Sequence, residues 1–250
     1  MELVLLTALG VGAATVFGSL IGFAFKKASH TFSDIILSFA AGVMLAAAVI
    51  GLILPSVEYG GKYGILITVI GVFVGALCLN FIDKLVPHLH RLMGAEEETH
   101  HNANLSKVLL FVLAIAIHNL PEGIAAGVGF GSGNTSQALM IAGGIALQNI
   151  PEGMVIIAPM LAAGVSPRKT FVCAMLTGVV EVLGTLLGYF AVSIASAVLP
   201  FALAFAGGTM LYVISDEMIP ETHAHGHERG ATYALLVGFC VMLISDVLLG

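Results

Sequence analysis

The sequence predicts an all-α polytopic membrane protein of eight transmembrane helices, and three observations predict it. Of 250 residues, 58% are hydrophobic and 10% charged, whereas soluble domains carry roughly 25% charged residues. Mean hydropathy is +1.05. Apolar runs of about 20 residues, enough for a helix to cross a hydrocarbon core of roughly 30 Å, recur along the whole chain. The 30 glycines suit close helix packing, with small pairs such as Gly123 with Gly127 and Gly184 with Gly188 four residues apart. The formal net charge of −6 says little about partners, because the acidic excess includes residues inside the apolar runs. Nucleic acid is not among the expected partners, and the bilayer is.

The first span is expected at 3–25; Met1-Glu2 precedes it with no basic stretch, which argues against a cleaved leader. The second, 32–56, has Asp34 near its start, read as solvated or capping, and Met44 mid-span, read as packing. The third, 63–83, ends at Asp83, read like Asp34. A loop of 84–106 follows, rich in His and Glu: His88, His90, Glu96, Glu97, Glu98, His100 and His101. Spans four to eight are expected at 107–129, 136–162, 170–191, 197–221 and 231–249. The shorter loop after span seven carries Glu221, His223, His225, His227 and Glu228. Cys78, Cys173 and Cys240 sit singly in apolar runs and read as small core hydrophobes. The chain reads as a single transmembrane domain, 1–250.

Basic residues orient the bundle. Lys26, Lys27, Lys84, Arg91, Lys107, Arg168, Lys169 and Arg229 all fall in alternate loops, leaving Lys62 alone on the other side. Those loops are therefore expected in the cytoplasm and both termini outside it, in the cell membrane.

A motif is written twice, His118-Asn119-Leu120-Pro121-Glu122-Gly123 and Gln148-Asn149-Ile150-Pro151-Glu152-Gly153, spaced by 30 residues. At 1.5 Å per residue, His118 lies about 17 Å from Lys107, Gln148 about 18 Å from Ser136, and Glu181 about 18 Å from Lys169, all near the bilayer midplane. Since spans four and five run in opposite directions, the two copies look like partners in an inverted arrangement about a central site, where secondary transporters keep their substrate. A carboxylate at such depth costs on the order of 3 kcal/mol unless it is paired. Beyond Lys107 at the very end of span four, no Lys or Arg lies within the spans of Glu122, Glu152 and Glu181, so cations or protons must neutralise them.

His118 with Glu122, and Gln148 with Glu152, are i and i+4 on one face, and one metal could bridge the two helices. Asn119 and Asn149 lie about 100° further round, where their oxygens could join a second ion bridged by Glu122, Glu152 and Glu181. Pro121 and Pro151 leave the carbonyls of Ile117 and Leu147 without their helical donors. The His-rich loops fit transient metal capture.

The pair HNLPEG and QNIPEG, Glu181 in span six, and Ser215-Asp216-Glu217 with Ile219-Pro220-Glu221-Thr222 in span seven resemble the ZIP (Zrt-, Irt-like) family of divalent metal transporters, in its bacterial GufA-like branch. The resemblance covers essentially the whole chain. It implies eight helices in a 3+2+3 inverted-repeat arrangement, usually a homodimer, and movement of Zn²⁺ or related ions toward the cytoplasm. It implies that His118, Glu122, Gln148 and Glu152 hold one metal, and that Asn119, Asn149 and Glu181 complete a second site bridged by Glu122 and Glu152. Asp216, Glu217, Glu221 and His223 would line the release path, and Glu58 and Asp246 the entrance. Many members carry His at the position of Gln148 and some carry Asp at that of Asn149; the neutral residues here mean fewer imidazole or anionic ligands.

The expected substrate is Zn²⁺, with Fe²⁺, Mn²⁺ and Cd²⁺ in range of the same N and O ligands, and with no organic cofactor. Two other readings compete. An intramembrane metallohydrolase would use the same ligands, but HExxH is absent. A proton or organic-solute carrier could relay protons through the three glutamates, yet it would leave His118 and the loop histidines without a use.

Overall fold

The computed structural model describes residues 1–25, 29–92, 116–162, 164–194 and 196–249, and within these the chain is helical with short turns. Helix α1 spans Glu2–Ala24 and α2 His30–Ala46, whose N-cap Ser29 accepts a hydrogen bond from the Phe32 amide. After α2 a π-helical segment, Ala47–Ile53, leads into α3, Leu54–Tyr59. Helix α4 covers Gly64–Leu92, and residues 116–129 form α5. Helices α6, Thr135–Ala162, and α7, Pro167–Ile194, follow. Helix α8, Leu199–Val213, passes through a second π segment, Ile214–Met218, into the short α9, Ile219–Thr222; α10 is Glu228–Leu249.

Seven helical stretches among the described residues are long and apolar enough to cross a membrane. Large apolar side chains such as Leu6, Leu9, Phe73, Leu187 and Val247 face outward, as a hydrocarbon solvent allows. The expected fourth span, 107–129, enters the described residues only at 116. The third differs from expectation: α4 runs on past 83 to Leu92, so the first part of the anticipated loop is helix, and residues 93–106 lie outside the described residues. Cys78 and Cys240 are exposed on the apolar surface rather than buried in the core, while Met44 is fully buried, as packing requires.

Each of the two π segments immediately precedes a proline-bearing helix. The proline ring collides with the carbonyl four residues earlier and it donates no hydrogen bond. The residues four before Pro55 and Pro220 are Gly51 and Asp216, and each lies inside a widened stretch. One extra residue per turn relieves the clash and redirects the side chains that follow. Around Pro121 and Pro151 the chain stays α-helical instead.

Helices meet through glycines, and the contacts recur in two sets. A Cβ at Gly18 would strike the Ile150 carbonyl of α6, and one at Gly184, 166 residues on, the Leu120 carbonyl of α5. Gly22 meets Met154 where Gly188 meets Ile124, and Gly153 meets Thr15 where Gly123 meets Glu181. Gly12 and Gly178, again 166 residues apart, abut each other. Farther out, Gly42 and Gly238 join α2 to α10 as Gly208 and Gly75 join α8 to α4. Gly123, Gly127, Gly184 and Gly188, singled out by their spacing, all lie where backbones touch.

Tight sites and open ones should therefore answer differently to one added methyl. Gly127→Ala forces a Cβ against the Thr185 carbonyl of α7, and overpacking of this kind costs about 1–3 kcal/mol. Gly143 has nothing within 4 Å of such a Cβ, so Gly143→Ala should be neutral or stabilising through helix propensity. Thermal unfolding of the detergent-solubilised protein compares them; equal melting points would contradict the packing.

A buried carboxylate and amide centre

Glu122 on α5, Glu152 on α6 and Glu181 on α7 are 1%, 7% and 0% exposed. They are close enough to interact electrostatically: Glu122 with both others, Glu181 with Glu152, and Glu152 with His118. The tight turn of Gly133, with a left-handed φ of 76°, and the cap of Asn134 Oδ1 on the Gln137 amide turn the chain from α5 into α6. The glycine contacts then set α5 against α7 and α6 against α1, bringing the two motif copies and Glu181 to one place.

Buried polar groups in proteins are nearly always hydrogen-bonded, which makes the exceptions here informative. Both oxygens of Glu122, both polar atoms of Asn119, both of Gln148 and Asn149 Oδ1 are buried with no protein partner within 3.5 Å, the Gln148 side chain lying beside Glu122 without closing a hydrogen bond. All belong to the doubled motif. Five of these seven atoms are oxygens, acceptors that a hard or borderline cation would satisfy. Among the described residues no three His, Cys, Asp or Glu side chains converge closely enough to hold a metal by themselves; the other unpartnered acceptors beside Glu122 are amide oxygens.

His118 does not point its Nε2 at the motif carboxylates. It donates to Glu217 Oε1 of the second π segment at 2.6 Å, a short, charge-assisted geometry. Glu217, expected further along a release path, thus reaches the edge of the centre itself. The π turn created ahead of Pro220 is what aims it there. Asp216 and Glu221 are exposed, and His223 is half-buried with its ring nitrogens near Ile219 O and Thr232 Oγ1. Glu58 is exposed on α3 and Asp246 is half-buried toward the end of α10.

Two features were missed in the sequence. Thr15, in the middle of α1, donates its hydroxyl to Glu181, 2.9 and 3.0 Å from the two oxygens; its place in the small-residue row Gly12, Thr15, Gly18, Gly22 was the available signal. Asp34 is a correction: instead of being solvated it is buried, with Oδ1 3.1 Å from His225 Nδ1 and Oδ2 unpartnered. The loop after α9 is thereby tied to α2. The side chains of Asp83, His88 and His90 lie outside the described set, as do Glu96, Glu97, Glu98, His100 and His101.

Residues 94–246 match the family model described as ZIP Zinc transporter. The chain is 42% identical over 205 residues to "Zinc transporter GufA" of Myxococcus xanthus, covering 80% of each chain. It is 36% identical to "Zinc transporter ZIPB" of Bordetella bronchiseptica, over 95% of this chain and 78% of that one. It is 39% identical to "Zinc transporter ZupT" of Chlorobaculum parvum, over 95% of this chain and 94% of that one.

If a cation satisfies the orphaned oxygens, it must stabilise the fold: saturation at about 100 times Kd adds roughly 2.7 kcal/mol. Added Zn²⁺ should raise the melting temperature of the purified protein. The double variant Glu122→Gln/Glu152→Gln, spared two buried charges, should melt higher without metal and respond little to it. A metal shift retained in that variant would remove the carboxylates from the site.

Proposed function

The chain belongs to the ZIP zinc transporter family, and we propose that it carries Zn²⁺ into the cytoplasm through the buried centre between α5 and α6. The observation that carries this reading is the cluster of unpartnered carboxylate and amide oxygens on the doubled motif. Glu122, Gln148 and Glu152 are the ligands of the transported ion, joined by His118 when its imidazole leaves Glu217. Asn119, Asn149 and Glu181 line the adjoining position, which a second ion bridged by Glu122 and Glu152 would use. Fe²⁺, Mn²⁺ and Cd²⁺ suit the same mixed N and O donors.

In this reading eight spans form a 3+2+3 inverted repeat, α1 to α4 corresponding to α7 to α10 and α5 to α6. The glycine contacts repeated at 166 residues support it. The distribution of basic residues supports extracytoplasmic termini, and the family resemblance a homodimer. Ions enter past Glu58 and Asp246. They leave through Glu217, Asp216, Glu221 and His223, so the His118–Glu217 bond sits where the centre opens to the release path.

Uptake of labelled Zn²⁺ into proteoliposomes holding only this protein tests the reading. His118→Ala and Glu152→Gln should each abolish most flux while the protein remains folded in detergent, and normal kinetics in both would overturn the assignment. Gln148→His adds an imidazole four residues before Glu152, and competition uptake should then favour Zn²⁺ over Mn²⁺ more strongly. An unchanged preference would mean that Gln148 does not set selectivity.

A further inference from the structure

We propose that this centre holds one divalent ion rather than two, because Glu181 is locked as a hydrogen-bond acceptor by Thr15 and Asn149 and is a positioning residue instead of a ligand. The inference rests on the reading of Glu122 and Glu152 as ligands of the transported ion.

Three buried residues from three helices meet here. Thr15 of α1 donates to Glu181, its hydroxyl nearly equidistant from the two oxygens. Asn149 of α6 donates its amide to Glu181 Oε2 at 2.8 Å and to the Val11 carbonyl of α1 at 3.3 Å. The amide's orientation follows from its neighbours: the Val11 carbonyl is a pure acceptor, as is an ionised Glu181 carboxylate, so the NH₂ end faces them. Asn149 Oδ1 consequently faces elsewhere and is one of the unpartnered atoms, whereas neither Glu181 oxygen is unpartnered. Within the same buried region the glutamates divide into Glu122, with two unsatisfied oxygens, and Glu181, with none.

An ion taking both Asn149 and Glu181 as ligands would need Asn149 to turn its oxygen toward Glu181, abandoning two hydrogen bonds, and would compete with Thr15 for the carboxylate's lone pairs. Each buried group left without its partner would carry its full desolvation penalty. The backbone gives little room for this. Thr15 and Glu181 are each at a glycine contact, against Gly153 and Gly123 respectively, and one turn away Gly12 abuts Gly178. Charge balance agrees: one divalent ion neutralises Glu122 and Glu152, and Glu181 is offset by hydroxyl and amide dipoles. A second ion would leave a buried positive excess. The Asn at 149, in place of a carboxylate, removes the anion that would have compensated it.

The test counts ions rather than flux. Zn²⁺ bound per chain is measured by equilibrium dialysis and elemental analysis, with and without Glu122→Gln in the same background, so that ions held by loop histidines cancel. The original chain should lose one ion on Glu122→Gln. In Asn149→Asp, which deletes the amide donor and supplies an anion beside Glu181, the loss should rise to two. Thr15→Val/Asn149→Asp, which also frees Glu181 of its hydroxyl, should give two as well and serves if the single variant folds poorly. A loss of two ions from the original chain would overturn the single-ion centre, as would a loss of only one from both variants. No loss from any of them would instead overturn the underlying ligand assignment.

Discussion

Burial of three glutamates in a bundle with no basic residue at their depth is the constraint on which the rest of this protein depends. A carboxylate in hydrocarbon costs several kcal/mol unless something compensates its charge, and the spans of Glu122, Glu152 and Glu181 carry Lys or Arg only at their ends, at Lys107, Arg168 and Lys169. Two kinds of compensation are visible. Glu181 is met by a hydroxyl and an amide of the protein, whereas Glu122 keeps both oxygens unsatisfied among equally unsatisfied amides. The first arrangement fastens helices together, and the second leaves acceptors that, on the function proposed above, an exchanging cation would satisfy. A centre fully satisfied by its own side chains would have nothing to gain from substrate.

Holding such a centre together requires backbones closer than ordinary side chains permit. Glycine contacts supply this along the line α5–α7–α1–α6, and the same contacts fix Thr15 and Glu181 at corresponding places. In hydrocarbon, where apolar burial gives helices no net drive to associate, close van der Waals approach and inter-helix hydrogen bonds take its place. Packing and chemistry are therefore carried by the same few turns of helix.

The two π segments do the opposite work. Each widens the helix ahead of a proline in the outer spans, and the second delivers Glu217 to His118. An imidazole held by a carboxylate at the margin of the centre would, as the ligand proposed above, already have an alternative partner, which suits binding that must be reversible. At the far end of the same broken helix, His225 and Asp34 tie the following loop to α2.

Much of this was legible in the sequence because hydrocarbon is an unforgiving solvent. Apolar runs had to be helices, the doubled motif had to face its partner, and unpaired glutamates at estimated midplane depth had to mark a polar centre; Glu122, Glu152 and Glu181 are indeed buried within electrostatic reach of one another. Small-residue spacing likewise pointed to Gly123, Gly127, Gly184 and Gly188. Helical periodicity, though, describes one helix at a time. Which partner a buried side chain takes depends on how neighbouring helices are rotated and offset, and no spacing within a span encodes that. Only the tertiary structure, accordingly, decided that Thr15 of α1 reaches Glu181, that Asn149 turns its amide rather than its oxygen toward it, that Asp34 is buried against His225, and that a π turn carries Glu217 to His118.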